Sequence, residues 1–193
     1  MAIKPILFNT DMVRAIMDGR KTCTRRMVKP QWEECPHCKY VHNEYIYDEM
    51  AENVYCARCG YPLEPERRSP YQPEDILYVR ETFIQAAAHA FWYKADDNSW
   101  MPEGLHWKPS IHMPKEAARI WLKVTNVRVE RLQDITEDGA EVEGCFDYTS
   151  TALGFPDVWD STIKKSDLDR YGWNTNPWVW VIEFERCEKP KEV

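Results

Sequence analysis

Gly19-Arg20-Lys21-Thr22-Cys23-Thr24-Arg25-Arg26 packs four cations and two threonines into eight residues, between a helical pattern and a β-favouring one. Upstream, Val13, Ile16 and Met17 fall on one helical face, Thr10 is a fair N-cap, and Asp11 lies in the first turn. Gly19 is well placed just past the helix end. Cations leaving a helix C-terminus are favoured by its dipole, so part of the basic run has a purely structural explanation. From Gly19 to Trp32 the chain carries Arg20, Lys21, Arg25, Arg26 and Lys29 and no acid. The chemical reading of such a run is a phosphate or carboxylate site. A lysine becomes a base when burial or neighbouring cations lower its pKa. A threonine hydroxyl needs such a base to become a nucleophile. In a regular strand, residues three apart face opposite ways, so Lys21 and Thr24 can meet only across a turn or bulge.

The whole chain has 193 residues and a net charge of −7, with 44% apolar and 30% charged residues. These values predict one globular domain, or one domain with a small insert. The acidic balance argues against non-specific duplex binding, which needs a positive field to displace counterions. It leaves room for a local basic site that takes small or single-stranded ligands. No apolar run approaches the roughly 18–20 residues of a membrane span, and the opening residues are too short an apolar run for a signal peptide. A cytoplasmic location is therefore expected.

Four of the seven cysteines form two Cys-x-x-Cys pairs, Cys35 with Cys38 and Cys56 with Cys59, seventeen residues apart. Two such pairs spaced about 15–20 residues apart fit a zinc ribbon. Each knuckle aims two thiolates at one point, and the spacer forms a hairpin that closes a tetrahedral set. Four thiolates leave no open coordination position, so the expected role is a structural zinc. Gly60 suits the tight turn after Cys59. Cys23, Cys145 and Cys187 read as small core residues or surface thiols.

The remaining pattern gives an ordered series. Ile6–Phe8 starts a strand. Residues 32–73 form the zinc insert, which ends in Pro62, Pro65, Pro70 and Pro73. Residues 75–83 alternate as a strand, and a hairpin turn is expected at 95–98, between 91–93 and Trp100. Residues 118–132 form a long alternating segment whose phase breaks near Thr125 and Asn126, a sign of a bulge. Thr136 opens a short helix that ends before Gly144, and 158–164 is a second helical candidate. Residues 178–185 form a last strand, followed by a charged tail at 187–193. Strongly twisted strands with few helices predict an α+β fold, a small β-barrel flanked by helices. A doubly wound sheet is disfavoured.

Gly-x-Lys-x-x-Thr-x-Arg, here Gly19, Lys21, Thr24 and Arg26, resembles the signature of the ASCH domain, a PUA-like β-barrel. Three other segments fit: Glu74 to Glu81, which is similar to the family's Gly-Asp-x-Leu-x-Val strand; the helix from Ile135 to Gly144; and the closing strand Trp180 to Phe184. The resemblance spans 1–186, interrupted by the 32–73 insert, and is nearest to the long, tryptophan-rich subgroup of phages and prophages. Glu74 stands where the family usually has Gly, so a different turn is expected there. The resemblance implies a cleft beside the first helix, lined by the basic motif. Some ASCH proteins are similar to an amidohydrolase that deacetylates acetylcytidine. That likeness implies Lys21 as base, Thr24 as nucleophile and Glu143 as acid/base or orienting group, with Arg26 holding the substrate or an oxyanion.

Two functions follow as expectations. One is hydrolysis of an amide on N4-acetylcytidine or a related modified base. The other is a non-catalytic module that binds single-stranded RNA or a modified base. Arg20, Arg25, Arg26, Glu81 and Trp107 are the expected ligand-binding residues. Trp92, Trp100 and Trp107 fall in loop-like sequence and are candidates for base stacking. His89, His106 and His112 read as surface or core residues.

Overall fold

The computed structural model describes residues 1–29, 31, 35, 37–40, 45–48, 53–62, 69–102, 104–145 and 151–191. Trp32, Pro65 and the last two residues of the charged tail lie outside that set.

Strand β1 (Ile3–Leu7) leads into helix α1 (Thr10–Met17) and then strand β2 (Cys23–Met27). The N-cap is Asn9 rather than Thr10: its side-chain oxygen accepts from the Met12 amide at 2.9 Å. Val13 and Ile16 are buried as expected, while Met17 lies on the open side of the helix. A hairpin of β3 (Tyr45–Asp48) and β4 (Asn53–Cys56) stands in the insert. Then come β5 (Ile76–Arg80), β6 (Phe83–Ala87), β7 (Ala90–Tyr93) and β8 (Trp121–Arg131). Helices α2 (Glu137–Val142), α3 (Thr151–Ser161) and α4 (Leu168–Tyr171) precede β9 (Trp178–Cys187).

The main sheet has the order β1-β5-β8-β9-β2, with β1 and β5 parallel and the other pairs antiparallel. Strand β9 explains why. Its run Trp-Val-Trp-Val-Ile-Glu-Phe is apolar almost without alternation, the mark of a strand covered on both faces. Trp178, Trp180, Ile182 and Phe184 pack with Ile6, Val13 and Ile16 on the α1 side. Val179 and Val181 pack with Phe155 and Trp159 of α3 and Ala140 of α2 on the other side. The phase break expected near Thr125 is a register shift between Val124 and Asn126 against β9.

Three expectations change. The described strands do not close into a barrel. β1 and β2 are the two edges of the sheet, with no backbone ladder between them. A side chain spans the gap instead: Arg26 Nη2 donates to the Leu7 carbonyl at 2.8 Å. The expected hairpin around 95–98 is displaced; β6 pairs with β7 through a turn at Ala88–His89. Finally, the turn before β5 keeps the backbone that a glycine would give. Glu74 has φ +70°, and its amide donates to the Val124 carbonyl at 2.9 Å. The adjoining Asp75 holds the β5 start by accepting from Ala2, Gln72 and the Lys4 ammonium. Sheet pairing thus holds a left-handed residue in place despite its Cβ.

Among the described residues no helix is long and apolar enough to cross a membrane. The left-handed Glu74 yields a direct expectation. Its side-chain ion pair with Lys123 at 2.9 Å is largely exposed and contributes little. Glu74→Gly should therefore raise stability by about 1 kcal/mol, read as a higher urea midpoint at unchanged slope.

Candidate functional site

Lys21 lies before β2, in the turn leaving α1, which settles its phase relative to Thr24. Its amide and that of Arg20 both donate to the Ala15 carbonyl. The next residue, Thr22, donates to the Val142 carbonyl of α2 and accepts from the Phe184 amide of β9, each at 2.9 Å. The turn is thereby tied to three elements. Its side chain then runs inward and is fully buried. Lys21 Nζ donates to Glu143 Oε2 at 2.6 Å, to the Glu143 carbonyl at 2.9 Å and to the Cys23 carbonyl at 2.6 Å. Those three contacts use all three ammonium protons.

Glu143 is the C-cap of α2, 122 residues away in sequence. Thr136 caps the other end, accepting from the Gly139 amide at 3.0 Å. Gly144, at φ +91°, then turns the chain away. A Cβ there would lie 3.0 Å from the Ala15 Cβ and 3.4 Å from the Lys21 Cβ. Only glycine lets α2 come this close to the end of α1, and this approach brings Glu143 to Lys21.

Arg25 completes the cluster from the opposite face of β2. Its Nη1 lies 3.2 Å from Glu143 Oε1, and its Nη2 2.6 Å from Glu130 Oε1. Lys21, Glu143, Arg25 and Glu130 thus alternate in sign and sum to zero. Arg128 continues the chain outward, pairing with Glu130 and Glu183. Two thiols border the cluster. Burial, with the Glu143 carboxylate beside it, pushes Cys23 up to about 12 and Cys145 to about 11. Both stay protonated at neutral pH and are not nucleophiles.

Thr24 and Arg26 register against Ile182 and Trp180, so they face the α1 side. Because β2 is a sheet edge, side chains from both its faces reach one opening. A void of about 50 Å³ is lined there by Thr24, Arg25, Arg26, Glu143, Phe155 and Trp159. It has room for one or two waters. Met12, Arg26 and Thr162 also line a wider void of about 380 Å³, bordered by Phe8, Thr82 and Ser110. That volume lies within the usual range for small-molecule sites, roughly 300–1,000 Å³. The Phe8 ring carries Lys21 Nζ at 5.5 Å and the Arg26 guanidinium at 5.3 Å.

Of the expected site residues, Lys21, Thr24, Arg25, Arg26 and Glu143 converge. Three others do not join them. Arg20 is exposed and pairs with Asp18 at 2.8 Å. Glu81 is buried on the far side of the sheet end, clamped by Arg119 through two contacts of 2.9 and 3.0 Å. Burial, only partly offset by Arg119, raises its pKa. Trp107 is half-buried in a loop and lines neither void. Trp92 and Trp100 meet edge-to-face at 5.3 Å, with Trp100 exposed. His89, His106 and His112 are all exposed. Sequence reading missed Phe155, Trp159 and Glu130. Their apolar or acidic positions look ordinary until α3 and β8 are placed against β2.

The four insert cysteines form a second constellation. All four sulfurs lie within 4.8 Å of one another. Cys35 to Cys59 and Cys38 to Cys56 are each 3.7 Å. A tetrahedron of metal–sulfur bonds near 2.3 Å has edges of about 3.8 Å, so the donor set fits one metal ion. The two knuckles repeat one hydrogen-bond pattern. Lys39 donates to the Cys35 carbonyl and Gly60 to that of Cys56; Cys35 donates to Tyr40 and Cys56 to Tyr61. Lys39 and Gly60, which follow each second cysteine, are both left-handed. His37 stacks on Tyr61, and Arg58 lies over Tyr40, so each knuckle covers the other's tyrosine. Burial raises the Cys35 thiol, but the amides of Cys38 and His37 outweigh it and draw it down to about 7. That sulfur is poised to give up its proton to a metal.

No family model and no curated protein matches this chain. In fold it is similar to two solved structures. One is the hypothetical protein PH0355, at 15% identity over 97% of this chain and 100% of that one, with a TM-score of 0.43. The other is the ASCH domain from Lactobacillus crispatus JV V101, at 12% identity over 96% of this chain and 79% of that one, with a TM-score of 0.46.

The neutral buried cluster makes a prediction of its own. Glu143→Ala leaves Lys21 and Arg25 short of a counter-charge and should lower unfolding stability by about 3–5 kcal/mol. Lys21→Met combined with Glu143→Leu removes one charge of each sign and should recover part of that loss. Denaturant titration of the three proteins checks both statements.

Proposed function

We propose that this chain is an ASCH-type domain that binds a nucleoside, or a base in short single-stranded RNA, in the cleft at the β2 edge. One observation carries the reading. Three residues of the basic run, Thr24, Arg25 and Arg26, meet Glu143 at one opening, although 117 residues separate Arg26 from Glu143 and the chain as a whole is acidic. A local cationic opening in a repelling surface selects small or single-stranded ligands. Phe155 and Trp159 give it aromatic walls for a base. The 50 Å³ void must widen for a base to enter, and α3, with Pro156 in its interior, is the wall best able to give. Four metal-fitting thiols suit a reducing compartment, which agrees with a cytoplasmic setting.

Turnover is a second reading, favoured by Thr24 and Glu143 lining one void and by the contact of Glu143 with Lys21. In it Thr24 attacks the amide carbonyl of N4-acetylcytidine while Arg26 or Arg25 steadies the oxyanion; the hydroxyl proton passes through the base to the departing N4 amine as the C–N bond breaks, and water then cleaves the acetyl-threonine ester to release acetate. A base role for Lys21 requires its proton to pass to Glu143 along their 2.6 Å contact. The two readings separate on one substitution. Thr24→Val removes the hydroxyl and keeps the shape. If the domain is a hydrolase, the wild type releases acetate from N4-acetylcytidine and Thr24→Val binds but does not release it. If it is a binder, both proteins bind alike and neither turns over. Failure of N4-acetylcytidine, cytidine and short single-stranded RNA to bind, even at low salt, sinks both readings.

We further propose that the ion in the insert is zinc and that its role is structural, since four sulfurs leave no open position. Val54, two residues before Cys56, is buried in the main core, so the insert and the sheet share packing. Metal analysis should find about one zinc per chain. Chelation or Cys56→Ser should lower the melting temperature of the whole domain. An unchanged melt after complete zinc removal would refute the structural role.

A further inference from the structure

The buried cluster is electrically closed, but Arg26 stands outside it. Among the described residues its guanidinium forms no ion pair with a carboxylate. Only Nη2 is hydrogen-bonded, to the Leu7 carbonyl at 2.8 Å, and Nε is buried with no partner. Leaving a half-buried cation without a counter-charge and a buried Nε donor unmatched is costly. Burial accordingly pulls its pKa down, opposed by Tyr71 and Glu143. The Phe8 ring below and the Leu7 carbonyl beside it hold the plane in one orientation.

The wider void has a matching character. The chain has 32 acidic residues, yet among the described residues none lines it, and Arg26 is the one cation that does. Thr82 and Ser110 also line it, and among the described residues their hydroxyls have no protein partner. Ser161 and Thr162 instead spend their hydroxyl protons on the Val158 and Trp159 carbonyls at 2.7 Å. The wall thus offers a fixed fork and two hydroxyl donors around a space of about 380 Å³, with no competing acceptor charge. Planar forks of this kind match phosphate oxygens. Arg26 also lines the smaller void with Thr24 and Glu143, so an anion on it would sit next to a group held there.

We infer that the wider void is a phosphate seat built on Arg26, Thr82 and Ser110, so that the cleft takes a phosphorylated nucleoside rather than a free one. The phosphate can be the monoester of a nucleotide or a diester of an RNA chain, which present the same oxygens. The nucleoside half of this statement rests on the function proposed above; the anion seat does not.

The test is calorimetric titration of the full, metal-loaded chain with cytidine, cytidine 5′-monophosphate and a cytidine dinucleotide lacking a terminal phosphate. Thermal melts in inorganic phosphate against chloride at equal ionic strength run beside it. The monophosphate, the dinucleotide or both should bind about tenfold or more tightly than cytidine, and which one does identifies the source of the phosphate. Arg26→Gln should abolish that preference, read as the ratio of phosphorylated-ligand affinity to cytidine affinity within the same variant. Should Arg26→Gln fail to fold, Thr82→Ala with Ser110→Ala should reduce the preference at intact fold. Equal binding of cytidine and both phosphorylated ligands overturns the inference and spares the nucleoside reading. Stabilisation by inorganic phosphate that Arg26→Gln removes, without binding of any nucleoside, upholds the seat and sinks the nucleoside reading. Phosphate stabilisation of equal size in wild type and Arg26→Gln, or none in either, overturns the seat.

Discussion

The contact between the Lys21 ammonium and the Glu143 carboxylate organises this molecule. Both groups are almost wholly withdrawn from water, and neither tolerates that burial alone. Their pairing joins the turn after α1 to the far end of α2 and forces those two elements into register. The demands propagate outward from there. Gly144 must lack a side chain, Thr22 must bridge α2 and β9, and Arg25 must supply the second positive charge. Glu130, Arg128 and Glu183 then carry the alternation of charge across the sheet toward solvent. A network that closes on itself in this way is rigid. Rigidity is what a site needs when it must hold polar groups ready in a dry setting.

Against that closed network, the loosely partnered Arg26 has a different character. It lies on the same strand as Arg25, one residue on, yet faces the other side of the sheet and, among the described residues, forms no ion pair with a carboxylate. Pleating alone produces the division. Arg25 is sent into the neutral cluster, Arg26 into the voids beside α1. One basic run therefore supplies both a cation matched inside the cluster and a cation that lines the voids. The edge position of β2 makes the arrangement possible, because a central strand would have neighbours where the opening now lies. The same edge explains why a guanidinium, rather than a backbone ladder, spans the gap between β2 and β1.

The cysteine module follows its own symmetry. Two five-residue knuckles with the same hydrogen bonds and the same left-handed exit residue face each other, and each stacks a side chain on the other's tyrosine. Lys39 holds a conformation in one knuckle that Gly60 adopts freely in the other. The module's four sulfurs form a donor set that fits one metal ion. Val54 ties the hairpin to the main sheet, so the insert belongs to the same packed body rather than hanging from it.

Sequence alone determined much of this protein, wherever the signal was local. The 3.6 and 2.0 periodicities located α1, β5, β8 and β9, and the phase slip near Thr125 located the bulge. Cysteine spacing identified the four metal-fitting sulfurs, and Gly144 after Glu143 marked the end of α2. Other features escaped because they depend on partners distant in the chain. Whether the sheet closes is decided by pairing between its two edges, which no local pattern encodes. Glu81 looked like a ligand contact until Arg119, 38 residues on, was seen to clamp it. Lys21 and Thr24 share a motif, but only folding shows that Lys21 lies outside the strand. Above all, a run of cations in a sequence has no memory of which charges will be matched. Tertiary packing paired Glu143 and Glu130 with Lys21 and Arg25 and, among the described residues, paired no carboxylate with Arg26, because charge balance is a property of three-dimensional neighbours and not of order along the chain.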